Sequence, residues 1–480
     1  MAKLIRIHGW LLFAVFLSVP ALLQAQGTDS AKNDPREQPV AAYPAPQPAG
    51  SSSVLALNSP EGSTDGVQVA GTNRPLSGVQ EPTLGPILGA RNFLAPSISV
   101  TSQMATSSSV SGYDRPTAFS YLLGTLDLNR ASDRSEFLLH YTGGGMLSSY
   151  LNSAVQDLDL SYSFKWQRWS LLVGDQASYL SESPFGFGGV GGLAFLNGVL
   201  QFVPSLNGSL TPNQTIPTIL VPRLSNTAVS QIEYELSPRS SWTASGSYGM
   251  LNFLGAGYIN STDAGFQSGY NYLLSPQSSV AVIYRFDDFR FTYLPERIEG
   301  HVVQLGYSRY VTGRLSLLLA AGPSMEMLRG VVTGSANRLS WAVNGSLSYQ
   351  LDRTRLLLSY NHLVTAGSGV LVGARTSQVE ATAERKLTDR WQASTSLGYA
   401  NNQSLIPTAA SLGNDNYNSW YAAVRFNHQL RPGTSLFLSY GVRVQAMNSA
   451  VCGNPNCGTN SIGHQVSAGF NFGLRPILFR

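Results

Sequence analysis

Charge is scarce in this chain. Asp, Glu, Lys and Arg make up 12% of its 480 residues, about half of the roughly 25% usual in soluble globular domains. Long apolar runs do not replace the missing charge. The only extended one, Gly9 to Leu23, is broken by Ser18 and Pro20 and falls short of the roughly 20 residues that a spanning helix needs. A multi-helix membrane protein is therefore excluded. Basic tracts are absent and the net charge is only +4, so nucleic acid is not an expected partner. Cysteine is limited to Cys452 and Cys457, with His464 as the one nearby metal-binding residue type. That is too few ligands for zinc, so no metal or cofactor is expected and a local disulfide is the simple reading. No Gly-rich phosphate loop with its Lys and no His-Glu-x-x-His occurs.

What the chain has instead is uncharged polar residues, 47 glycines and 22 tyrosines, with 43% hydrophobic residues. Lys3 and Arg6 precede the apolar run, and the small Ala25 follows Leu23-Gln24. Residues 1–25 therefore read as a secretory signal peptide. Residues 26–96 are rich in Pro, Ala and Ser, as in Ala41-Ala-Tyr-Pro-Ala-Pro-Gln-Pro. Such a stretch cannot bury a core and reads as a disordered periplasmic leader, either a spacer or a tether to a periplasmic partner.

From about Ser97 onward the pattern is alternation. Ile232, Tyr234 and Leu236 alternate with Gln231, Glu233 and Glu235, and Leu436, Leu438, Tyr440 and Val442 alternate with Ser435, Ser439 and Arg443. Period two gives one apolar and one polar face. The connections also alternate. Tight polar turns (Ser237-Pro-Arg-Ser, Ser275-Pro-Gln-Ser, Leu387-Thr-Asp-Arg) take turns with longer segments at 252–263, 323–337, 365–374, 402–416 and 447–462. Short turns at one end and long loops at the other suit a transmembrane barrel. The segments predict an all-β fold over 97–480, a transmembrane antiparallel β-barrel of about eighteen strands, with sixteen as the alternative. Trp166, Trp169, Trp242, Trp391 and Trp420 fall near strand ends, where a membrane-interface girdle is expected.

In architecture, though without a diagnostic motif, the region resembles the bacterial porin-like outer-membrane barrels. The resemblance implies an outer-membrane location, lipid around the wall, passive passage of small polar solutes with or without a gate, and a trimer. It departs at the C-terminus, where Pro476 interrupts the last strand and Arg480 follows Phe479. The longest connection, about 181–226, stands where porins fold a third outer loop into the lumen. Here it is apolar and Gly-rich, with Phe185, Phe187, Phe195 and Phe202, and is expected to be a constriction or plug.

Taking the polar face as the lumen, the expected pore-lining residues are Glu136, Asp157, Asp159, Glu233, Glu235, Arg285, Arg355, Glu380, Arg425 and Arg443. Acids dominate the early strands and arginines recur late, so a transverse field is expected. Two other function classes stand beside the channel. One is an export or surface-assembly barrel, for polysaccharide or adhesion. The other, ranked below both, is a barrel hydrolase using His140 with Glu136, or Ser359, Asn361 and His362.

Overall fold

The computed structural model describes residues 92–107, 117–132, 134–148, 152–181, 222–255, 258–312, 314–330, 334–367, 369–406, 416–431, 433–447 and 460–479. The strands are β1 (Asn92–Ser107), β2 (Thr117–Ala131), β3 (Ser135–Ser148), β4 (Ser153–Trp166), β5 (Trp169–Ser181), β6 (Pro222–Ser237), β7 (Ser240–Phe253), β8 (Ser261–Ser275), β9 (Ser278–Phe291), β10 (Arg297–Thr312), β11 (Leu315–Gly330), β12 (Gly334–Gln350), β13 (Thr354–Thr365), β14 (Ala374–Lys386), β15 (Trp391–Ser404), β16 (Asn416–Arg431), β17 (Thr434–Met447), β18 (Asn460–Gly473) and the short β19 (Ile477–Phe479).

Each long strand pairs antiparallel with its sequence neighbours, and β1 pairs with both β2 and β18. The ring is thereby closed at eighteen strands, which rules out the sixteen-strand alternative. Closure leaves no sheet edge at the join. The barrel begins at Asn92 rather than Ser97, because Asn92–Leu94 pair with Ile477–Phe479 across the break at Pro476. The terminal aromatic thus rejoins the ladder. The 323–337 segment is a second correction. It is mostly strand, since β11 runs to Gly330 and β12 starts at Gly334, and the period-two alternation there continues through Pro323.

The alternation separates the two faces. Ile98, Val100 and Met104 are exposed while Ser99, Thr101 and Gln103 between them are buried. Leu122, Val282, Val303, Leu305, Leu438 and Val466 repeat the exposed apolar side on other strands. The exterior is apolar and the interior polar, the reverse of a soluble barrel. A closed antiparallel barrel of this kind is an outer-membrane architecture. Tyr162, Phe164, Trp166, Trp169, Trp242, Trp391 and Trp420 all lie on the exterior, with Trp169 against Tyr234 at 4.3 Å between ring centroids. Strands of 12 to 17 residues exceed the roughly 9–11 needed to span, so the hairpins project beyond the membrane.

Leu305 lies outward and 65% exposed on β10, seven residues above the short turn that ends the strand at Thr312. Leu305→Arg is expected to destabilise the refolded barrel by about 2–4 kcal/mol, the range for a cation near the bilayer midplane. Leu305→Ala should cost far less. Urea unfolding in vesicles would check both.

Candidate functional site, the barrel lumen and its outer mouth

Register decides which side chains point inward. Asp127 on β2 pairs with His140 on β3, which pairs with Asp159 on β4, so the three share a face. His140 Nδ1 lies 2.7 Å from Asp127 Oδ1, and its Nε2 lies 3.2 Å from Thr142 Oγ1. Asp157 lies on the same face of β4. On β6 Glu233 is buried, while Glu235, near the short turn, is over half exposed and 3.9 Å from Lys165. Glu136 is likewise on this side, beside the β2–β3 turn. On β9 Arg285 and Asp287 form a buried inward pair at 2.7 Å, and Asp263 of β8 is buried on the same side.

The later strands carry the arginines. Arg425 and Arg443 are 1% and 2% exposed, on the inward faces of β16 and β17, where Tyr421 pairs with Arg443. The Arg425 guanidinium lies 3.5 Å from the centroid of the Phe437 ring, a cation–π contact that holds the charge flat against the wall. Gly469 on β18 leaves room for that ring, since a Cβ there would come within 2.3 Å of it. Arg355 stands opposite Glu384 in register, near the periplasmic end of β13. Glu380 accepts a 2.8 Å bond from the Tyr421 hydroxyl. All ten expected lumen residues therefore occupy inward positions. Acids predominate on β2–β8 and the two most buried arginines lie on β16–β17, but the separation is incomplete: Arg223 and Arg285 are buried on β6 and β9, and Asp287, Glu326 and Glu380 stand on β9, β11 and β14. Four expected loop residues, Phe185, Phe187, Phe195 and Phe202, lie outside the described residues, as do Cys452 and Cys457. Of the 181–226 segment, β5 reaches Ser181 and β6 begins at Pro222, which shortens the connection to residues 182–221.

Geometry removes one hydrolase candidate set. Ser359 and Asn361 face the lumen, but His362 sits on the opposite face of β13, stacked on Trp341 at 4.4 Å and 2.7 Å from Ser377 Oγ. Nor does His140 bond to Glu136; its partner is Asp127.

A second feature of the site escapes sequence reading. The β12–β13 ladder stops at Val343↔His362, although β12 continues outward to Gly334 and β13 to Thr365. Above that point the β13–β14 tip folds to the lumen side of β11–β12, parting from β12 while staying paired with β15. Val364, on the outward side of β13, and Ala336, on the inward side of β12, both pack against a buried cluster that includes Leu328 from the inward side of β11. Arg375 of β14, whose register partner is Val364, reaches the inward Glu326 of β11 with bonds of 2.7 and 2.9 Å. Glu326 is 1% exposed. The two sheets overlap like a lapped joint, held by this ion pair and by the apolar cluster.

Residues 366–367 and 369–373 of the connection then lie across the mouth. Ala366 and Val372 pack with Phe289, Phe291, Ile298, Leu405 and Ile406. The Gly369 carbonyl accepts a 2.9 Å bond from Ile259 N, and the Gly373 carbonyl accepts one of 3.1 Å from Leu405 N. It thus reaches the β7–β8 connection, six strands away around the ring. Two glycines permit this approach. Gly369 (φ +74°) and Gly373 (φ +71°) adopt left-handed backbone, and a Cβ would fall 2.1 Å from Phe253 and 2.0 Å from Ile298. Gly369→Val should therefore lift the segment off Phe253. We expect faster protease cleavage within 366–373 and larger ion currents, from a barrel with unchanged strand circular dichroism.

No family model matches the chain, and no curated protein does. Several solved structures are similar to it over most of its length. OccK2 (OpdF) of Pseudomonas aeruginosa, solved with glucuronate, has 10% identity and a TM-score of 0.42, over 79% of this chain and 98% of its own. The outer membrane protein OpdK of the same organism has 10% identity and a TM-score of 0.41, over 79% and 98%. OccK11 (OpdR), also from P. aeruginosa, has 10% identity and a TM-score of 0.40, over 84% and 100%. At TM-scores below 0.5 and 10% identity these likenesses carry no argument about function. The functional argument rests on the lumen and the mouth.

Proposed function

We propose that this chain is a porin-like channel for the passive, gated passage of small polar solutes across the bacterial outer membrane. The observation that carries the reading is the polarity of the interior. An eighteen-strand ring is wide enough for an aqueous path. Its inward face bears mostly acids on β2–β8 and the buried Arg425 and Arg443 on β16–β17, beneath a mouth crossed by the β13–β14 connection. Charges fixed on opposite arcs orient a dipolar solute as it enters, and sparse single charges bind too weakly to trap it. The near-complete burial of both arginines supports a resting state that is narrow. The constriction expected from Phe185, Phe187, Phe195 and Phe202 remains part of this proposal, as do a trimeric assembly and a periplasmic partner for the leader.

The test is single-channel recording of the refolded full-length protein in a planar bilayer. Brief openings that become long-lived when the 366–373 segment is unlatched support a gated channel. A folded protein that stays silent, with and without that segment and residues 183–220, contradicts passage altogether.

A further inference from the structure

The outer wall of the barrel has a concavity on its lipid-facing side. A groove of about 800 Å³ crosses β10 to β15, with Leu347, Leu356, Leu358 and Leu397 surrounding the small residues Ala381 and Ala383. Register places these on one face: Leu347 pairs with Leu358, Leu356 with Ala383, and Ala381 with Leu397. The groove arises because two alanines stand on β14 where neighbouring strands carry leucines. It lies against the short turns, since Leu397, the farthest of these residues, is the seventh of β15 and the others are nearer their strand ends. That end is periplasmic, as short barrel turns are, so the groove opens to the inner, phospholipid leaflet.

The rim of the groove is basic. Arg314 contributes to its lining. Arg353 and Arg390 occupy the adjoining turns, and Arg309 and Arg385 end β10 and β14 on the outward side; all five are exposed. Two acids share this rim. Asp352 is bound to Arg314 at 3.0 Å, and Asp389 lies in the β14–β15 turn. The rim therefore carries a net positive charge at headgroup height, below a concave apolar surface. An acyl chain fills such a surface, and an anionic phosphate satisfies such a rim.

We propose that this groove is a binding site for an anionic phospholipid of the inner leaflet, with its acyl chain over Ala381 and Ala383 and its phosphate among Arg314, Arg353, Arg385 and Arg390. The proposal rests on the outer-membrane reading and is independent of whether the barrel conducts. Charge complementarity favours a lipid over a second copy of the chain, because two copies meeting through this face would bring two basic rims together.

Native mass spectrometry of the delipidated, refolded full-length protein tests it, titrating phosphatidylglycerol and phosphatidylethanolamine of identical acyl chains. The expected result is at least a tenfold preference for phosphatidylglycerol that weakens as salt rises. Arg353→Gln, Arg385→Gln and Arg390→Gln combined should bring the two lipids within about twofold, because each basic side chain near the headgroup favours the anionic lipid. Ala383→Phe fills the groove and should weaken both lipids while leaving their ratio intact. Strand circular dichroism of each variant controls for folding. Equal affinity for the two lipids in the unaltered protein overturns the proposal, and so does a preference that survives the triple substitution. An oligomer that Ala383→Phe dissociates, without any lipid preference, would assign the face to self-association instead. Loss of conductance with the lipid preference intact would sink the channel reading and spare this one.

Discussion

Arg375→Glu is expected to convert the barrel from brief openings to long-lived ones. Glu326 is almost fully buried, and Arg375 gives it two bonds below 3 Å. Reversing the arginine leaves a buried carboxylate facing a second one. Breaking a buried pair costs on the order of 3 kcal/mol. If that loss falls on the latched state, the ratio of closed to open shifts by about a hundredfold. On its β12 side the β13–β14 tip can move without breaking a ladder, which already ends at Val343↔His362, while β14 stays paired with β15 as far as Ala374↔Ser404, so β15 moves with it. Single-channel dwell times measure the shift. The double variant Glu326→Arg with Arg375→Glu restores the pair in reverse and should recover at least half of the closed population. Unchanged dwell times in Arg375→Glu, with strand content retained, would mean that the overlap does not gate the mouth.

The second large effect concerns selectivity. Arg425→Gln combined with Arg443→Gln removes both buried inward arginines of β16 and β17 while keeping hydrogen-bonding groups of similar reach. The acids of β2–β8, including Asp157 and Glu233, then dominate the interior field. Reversal potentials under a salt gradient should move toward cation selectivity, with the cation-to-anion permeability ratio rising about tenfold for two charges removed at short range. The complementary variant Asp157→Asn with Glu233→Gln should move the ratio the other way. Movement of both variants in one direction would show that these residues act on barrel shape and not on the field.

The two predictions differ in what foresaw them. The lumen charges were legible because strand periodicity is local. Once Ile232, Tyr234 and Leu236 are assigned to lipid, Glu233 must face inward, whatever the rest of the chain does. Strand starts after the short turns were legible too, since a Pro, Gly, Asp or Ser turn interrupts the alternation where the chain must reverse, whereas β1, β6 and β12 begin several residues before the alternation becomes clear. Arg375 and Glu326 were not legible as a pair. Alternation puts Arg375 on the outward side of β14 and Glu326 on the inward side of β11, so a sequence reading separates them. Only the overlap of two parts of the wall lets an outward residue meet an inward one. The run Gly367-Ser-Gly-Val-Leu-Val-Gly373 did carry a signal, apolar and Gly-rich within an outer connection. The longer connection carries the same apolar, Gly-rich pattern at Phe185 and Phe187.

The lipid groove divides in the same way. The arginines at the short turns can be read directly, as in Leu351-Asp-Arg-Thr and Leu387-Thr-Asp-Arg. That Ala381 and Ala383 form a hollow beneath them depends on which leucines flank them on neighbouring strands, and pairing sets that. By itself, then, the sequence determined the class of fold, a strand number of about eighteen with sixteen still open, and the side of the wall on which alternating residues stand, because these follow from a two-residue repeat and from turn chemistry. Tertiary structure alone decided where the ladder between β12 and β13 ends, what crosses the mouth and which charges meet. Those depend on contacts between residues far apart in the chain, whose geometry no local periodicity encodes.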